Sequence, residues 1–82
     1  MWRIEWSRTA LKELYGLEKD AIDRIISKLE QAAADPTHYF TRLVDRDECK
    51  LRIGDYRLIA FIIHETDTIF VRNVRHRKNI YE

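Results

Sequence analysis

Cysteine, glycine and proline are nearly missing from this sequence, with one, two and one among 82 residues. The lone Cys49 excludes an internal disulfide and leaves no second thiol for a paired-cysteine redox or zinc motif, so a reducing compartment is the expected setting. Gly16, Pro36 and Gly54 mark single breaks, and no linker, internal repeat or low-complexity stretch accompanies them. Long apolar runs are lacking as well. The longest, residues 58–63, falls far short of the roughly 20 residues a membrane helix needs. Acid and base within the first five residues leave no apolar signal region, and the cytoplasm is the expected location. An excess of one charge is also missing: 15 Lys and Arg face 14 Asp and Glu, for a net charge of +1. The whole-molecule field therefore offers a polyanion little attraction.

What is present is apolar material, 45% of the chain, with 11% aromatic. That suffices for one modest core, since a domain of this size buries roughly 60–65% of the surface its unfolded chain exposes. The charges are unevenly placed. Acids and bases mix over residues 1–48, whereas residues 68–81 hold Arg72, Arg75, Arg77 and Lys78 and no acid. Such clustering marks a candidate anion-binding patch.

Trp2, Ile4 and Trp6 alternate with Arg3 and Glu5, the period of a half-buried strand over residues 2–6. Ser7 can cap a short helix carrying Ala10, Leu11, Leu14 and Tyr15, which Gly16 interrupts. A second helix is expected from near Glu18 to about Ala34, with Ala21, Ile22, Ile25, Ile26 and Leu29 on one face. Acids at its start suit the positive helix end, and it stops before Pro36. The two helices are expected to form a hairpin packed on a sheet. Short β-like runs follow over residues 39–44, 49–53, 56–63 and 68–74, with His38 and His64 falling in loop and turn. The order β-α-α-β-β-β-β implies an α+β domain spanning residues 1–82, with a mostly antiparallel four-strand sheet after the helices.

Gly54-Asp55 reads as a two-residue turn of the II′ kind. Its register pairs Ile53 with Tyr56, Arg52 with Arg57 and Leu51 with Leu58, and Lys50 shares the face of Arg52. Two arginines directly opposite each other cost a few tenths to roughly 1 kcal/mol. An incoming anion would offset that cost. The competing reading is that these arginines splay into water or pair with Glu48 or Asp55.

The stretch Lys50-Leu51-Arg52-Ile53-Gly54-Asp55-Tyr56-Arg57-Leu58-Ile59 and the ending Val74-Arg75-His76-Arg77-Lys78-Asn79-Ile80-Tyr81 resemble the RelE/ParE superfamily of toxins from prokaryotic toxin–antitoxin modules. The element order resembles that family too. The resemblance implies a RelE-like, metal-free and cofactor-free endoribonuclease that cuts mRNA on the ribosome. Its partners would be the ribosome, mRNA and a RelB-like antitoxin, with no membrane. The RNA's own 2′-hydroxyl attacks the adjacent phosphate in such enzymes, a nucleophile that DNA lacks.

Under that resemblance Arg57 and Arg77 are the candidate phosphate ligands, because a guanidinium fork holds two phosphate oxygens at once. Lys50 is the candidate proton-transfer group and Tyr81 the candidate for base stacking or proton transfer. Arg52, Arg75, His76 and Lys78 are candidate RNA-binding residues. His76 has no second histidine suitably placed for two-histidine ribonuclease chemistry. No three of His38, His64, His76 and Cys49 show metal-ligand spacing. Two features depart from the family pattern: the low net charge, and Glu48, which stands two before Lys50 where a second lysine can occur. Two other readings share the fold, a ParE-like inhibitor of DNA gyrase and a catalytically weak homologue that mainly binds its antitoxin.

Overall fold

Alternation at the start of the chain becomes strand β1, Arg3–Trp6, in a computed structural model that describes residues 1–76. Ser7 then takes an extended backbone, and its Oγ accepts from the Ala10 N–H at 2.9 Å to begin helix α1, Arg8–Tyr15. This is the expected cap, satisfying one of the helix's orphan donors. Gly16 closes α1, and helix α2 runs over Lys19–Ala32 with Glu18 at its N-cap. The second helix ends two residues before its expected limit. Ala33 caps it, and Pro36 opens a further short helix, α3, Pro36–Tyr39. Proline is favoured there because its fixed φ suits a first turn whose N–H has no partner.

Helix α3 replaces the start of the strand expected over residues 39–44 and takes up His38, for which the sequence predicts a loop. Only Thr41–Arg42 is extended, as strand β2. The chain then turns through Asp45, which has a left-handed φ of +59°. Backbone bonds from Leu43 N–H to Glu48 O and from Arg46 N–H to Leu43 O hold that turn. Strands β3 (Cys49–Ile53), β4 (Tyr56–Ile63) and β5 (Thr68–His76) follow. The last runs two residues beyond its expected end.

The five strands form one sheet in the order β1-β5-β4-β3-β2. Strand β1 joins it parallel to β5, and all other neighbours are antiparallel. The N-terminal strand is thus a member of the sheet, and the helices carry the chain from the β1 edge to the β2 edge. Leu51, Leu58, Ala60, Ile69, Val71 and Val74 point to one side of the sheet and form the core with Ala10, Leu14, Ile25 and Leu29 of the helices. Alternation therefore sends Lys50, Arg52, Arg57 and Ile59 to the other side.

Because β1 ends at Trp6, the outer edge of β5 beyond Val71 has no strand beside it among the described residues. Helix α1 covers that edge instead. Glu13 accepts the Val74 N–H at 2.8 Å, and the Ser7 hydroxyl donates to Arg72 O at 2.7 Å. An unpaired strand edge is thereby closed against association with other chains.

Candidate nucleic-acid interface

The β3–β4 hairpin has the expected register. Arg52 faces Arg57, Leu51 faces Leu58 and Ile53 faces Tyr56. Gly54 carries a φ of +56° at the first turn position while Asp55 keeps an ordinary φ, the pattern that II′ geometry demands. A side chain at Gly54 would be strained, and its Cβ would come to 3.6 Å from Nη1 of Arg24 on α2.

Strand β5 adds a third arginine. Arg75 pairs directly with Arg57, so Arg52, Arg57 and Arg75 make one continuous row across β3, β4 and β5, with Lys50 two residues along from Arg52. Hairpin and last strand are neighbours, as a single basic surface requires. Arg52 and Arg75 are exposed and Arg57 is partly covered. Arg75 lies 3.8 Å from Glu13, whose other oxygen accepts from Asn73 Nδ2 at 3.3 Å. That carboxylate is a local restraint on the row. It draws Arg75 toward the β5 edge.

Register shifts between Ile59 and Ala60: Ile59 pairs with Asn73 and Ala60 with Val71, leaving Arg72 as the extra residue of a β-bulge. From the bulge Arg72 forms an ion pair with Glu48, just before β3. Strand β4 lies between them, so the pair crosses it on the side away from the helices. Only 13% of the Glu48 side chain is exposed, against 53% for Arg72. The acid whose position argued against phosphate binding is thus answered by an arginine of its own.

His76 departs from the arrangement expected of it. It pairs with Tyr56, with ring centroids 5.0 Å apart in an edge-to-face contact, and both belong to the helix-facing side of the sheet. Alternation along β5 separates it from Arg75, so it does not share the arginine row's face. His64 sits against Trp2 and His38 against Tyr39. The three candidates Arg77, Lys78 and Tyr81 lie outside the described residues.

Cys49 lies on the helix side opposite Ala60. Burial pushes its thiol above the ordinary 9.0, partly countered by the nearby Arg42 guanidinium. Arg42 is itself held by Asp47 at 3.1 Å.

Sequence reading missed two participants: Glu13, and Arg72 as a bulge residue. Arg72 was visible as part of a basic cluster, but its link to Glu48 needs the strand order and the bulge. Glu13 was readable only as an exposed acid on a short helix, because its role arises where β1 stops.

A five-strand sheet with helices over one face and a row of cations on the other defines an α+β domain with an open basic face. The family model for the ParE toxin of type II toxin–antitoxin systems, parDE, matches residues 4–81, and the chain belongs to that family within the RelE/ParE superfamily. No curated protein sequence matches it. Among solved structures it is similar to the intact E. coli RelBE toxin–antitoxin complex, with 23% identity, a TM-score of 0.81 and coverage of 93% of this chain and 96% of that one. The RelBE2 complex from Mycobacterium tuberculosis gives 22% identity, a TM-score of 0.83 and coverage of 93% and 98%. The archaeal RelE–RelB complex from Pyrococcus horikoshii OT3 gives 19%, 0.77, 96% and 98%. At these identities the likeness establishes a shared fold.

Proposed function

We propose that this toxin is a RelE-like, ribosome-dependent mRNA endoribonuclease. The observation that carries the reading is the row Arg52, Arg57 and Arg75 across three adjacent strands, with Lys50 beside it. Like charges placed directly opposite one another are unfavourable in a sheet. A phosphate diester is an anion whose spaced oxygens suit such a row. In the reaction the RNA 2′-oxygen forms a bond to the adjacent phosphorus and the bond to the 5′-oxygen breaks, leaving a 2′,3′-cyclic phosphate and a 5′-hydroxyl. Negative charge accumulates on the phosphate oxygens between those events, and prepositioned cations lower that barrier.

Arg57 and Arg77 take the phosphate role, Lys50 and Tyr81 the proton transfers, and Arg52, Arg75 and Lys78 hold the strand. His76, on the opposite face, is left outside the reacting group. The cognate partner is an antitoxin of the RelB kind, since the similar structures are toxin–antitoxin complexes. Its seat is the groove lined by Ile4, Trp6, Leu11, Tyr15 and Ile26, where Tyr15 is 69% exposed.

Primer extension on ribosome-bound mRNA tests the proposal. The wild type should introduce discrete breaks and Arg57→Ala should lose them by 100-fold or more, as removal of a transition-state charge contact does. A ParE-like action on DNA gyrase is the second reading, favoured by the family model that matches. Intact mRNA together with loss of gyrase supercoiling would decide for it.

A further inference from the structure

Strand β4 carries a second row on the same face as Arg57. Ile59, Phe61 and Ile63 alternate with the core-facing Leu58, Ala60 and Ile62 along Tyr56–Ile63, so they continue the line that Arg57 begins. Register sets Phe61 directly opposite Phe70 of β5, and Ile63 opposite Thr68. Ile59, Phe61, Ile63 and Phe70 are all partly exposed, and none belongs to the core cluster or to the residues packed against it. Core packing does not account for two phenylalanines placed side by side here.

The acid beside Phe70 in register, Glu5 of β1, lies 3.5 Å from Arg3 and is answered by it. Toward the hairpin the face continues into Arg57, Arg52, Arg75 and Lys50. On this face Glu48 is ion-paired with Arg72 across β4, and Glu13 lies 3.8 Å from Arg75 at the β5 edge. Four residues separate Arg57 from Phe61, which is about 13 Å along a strand. An apolar aromatic surface joined end to end with a cationic row matches a polymer that presents flat apolar rings and regularly spaced anions together. Single-stranded RNA has both, and base stacking on aromatic side chains beside a basic track is how such strands are commonly held.

We propose that Phe61 and Phe70 form a stacking platform for a nucleobase of the RNA strand whose phosphates lie on the arginine row. The platform rests on the RNA-directed function proposed above and adds to it a base-binding subsite distinct from the phosphate ligands. The strand would run along β4, with phosphate at the hairpin end and a splayed base over the phenylalanines. Ile59 and Ile63 flank that base. Stacking of this kind tolerates any base, so the subsite sets the path of the strand more than its sequence.

The test uses the full chain, a 2′-O-methyl RNA oligonucleotide that cannot be cut, and 2-aminopurine placed at successive positions as a fluorescent base. Wild type, Phe61→Leu, Phe70→Leu and the double variant are compared at low salt, with circular dichroism confirming the fold. An abasic oligonucleotide of the same length serves as the backbone-only probe. The wild type should quench 2-aminopurine at one or two positions. The double variant should lose that quenching and bind the full oligonucleotide about tenfold more weakly, while both proteins bind the abasic strand equally.

RNA bound in an Arg57-dependent way, but without quenching and with no effect of the leucine substitutions, overturns the platform and leaves the proposed function standing. No salt-dependent binding of either oligonucleotide by the wild type overturns the RNA-directed reading, and the platform with it. Leucine variants that loosen the antitoxin complex and leave RNA binding unchanged assign this face to the protein partner, which also overturns the platform.

Discussion

Among single residues, Glu48 has the largest effect on how the basic face is understood. Read alone, an acid two positions before Lys50 weakens any phosphate site. In the fold it is nearly covered and tied to Arg72, so the pair presents little net charge to a ligand. Glu48→Gln should release Arg72 as a further cation, tightening RNA binding and making the salt dependence steeper by about 0.7 in the log–log slope for a single strand. Titration of a labelled oligonucleotide over a range of KCl checks this, and an unchanged slope would show that Arg72 has no access to the strand. Cys49 supports a second prediction. Its folded thiol is raised above the ordinary 9.0 mainly by desolvation, so the native state holds its proton more firmly than the unfolded chain. The associated stability is present below about pH 9 and is lost as pH rises through the folded value. At neutral pH Cys49 should alkylate more slowly in native than in urea-unfolded protein, because the thiolate is the reactive form.

At the level of elements, the short helix α1 does more than carry the chain across the sheet. It stands where β1 has ended, and Glu13 takes the Val74 N–H that no strand receives. Glu13→Ala leaves that part-buried donor without its acceptor and should cost about 1–3 kcal/mol, whereas Glu13→Gln keeps an acceptor oxygen and should cost less. Urea unfolding of the two variants separates them, and equal losses would point to the charge instead of the hydrogen bond. The strands and helices themselves were legible from periodicity, since Trp2, Ile4 and Trp6 and the apolar faces of both helices repeat at the spacing their burial demands. The hairpin register was legible because Gly54-Asp55 leaves little freedom in a two-residue turn. The segment around Tyr39 was not, because Pro36 nucleates a turn of helix whose apolar residues also fit a strand. Nor could the bulge at Arg72 be read, as a one-residue insertion changes no composition and declares itself only against a partner strand.

For the molecule as a whole, charge totals conceal what topology assembles. A net charge of +1 gave little reason to expect nucleic-acid binding, yet strand order brings residues from positions 50, 52, 57 and 75 onto one face. Meanwhile acids such as Glu30 line the helix-side groove. Clustering of cations on one face lets a nearly neutral protein bind a polyanion locally without a long-range field. The dependence on salt should follow the face and not the total. Four cations meeting phosphates of a single strand predict a slope near −3 in log affinity against log salt. Arg57→Ala should reduce that slope by about 0.7, while Glu30→Gln, which changes the net charge by the same amount in the opposite direction, should leave it within error. If both substitutions moved the slope equally, binding would be governed by total charge, and the arginine row would lose its standing as the place where the strand is held.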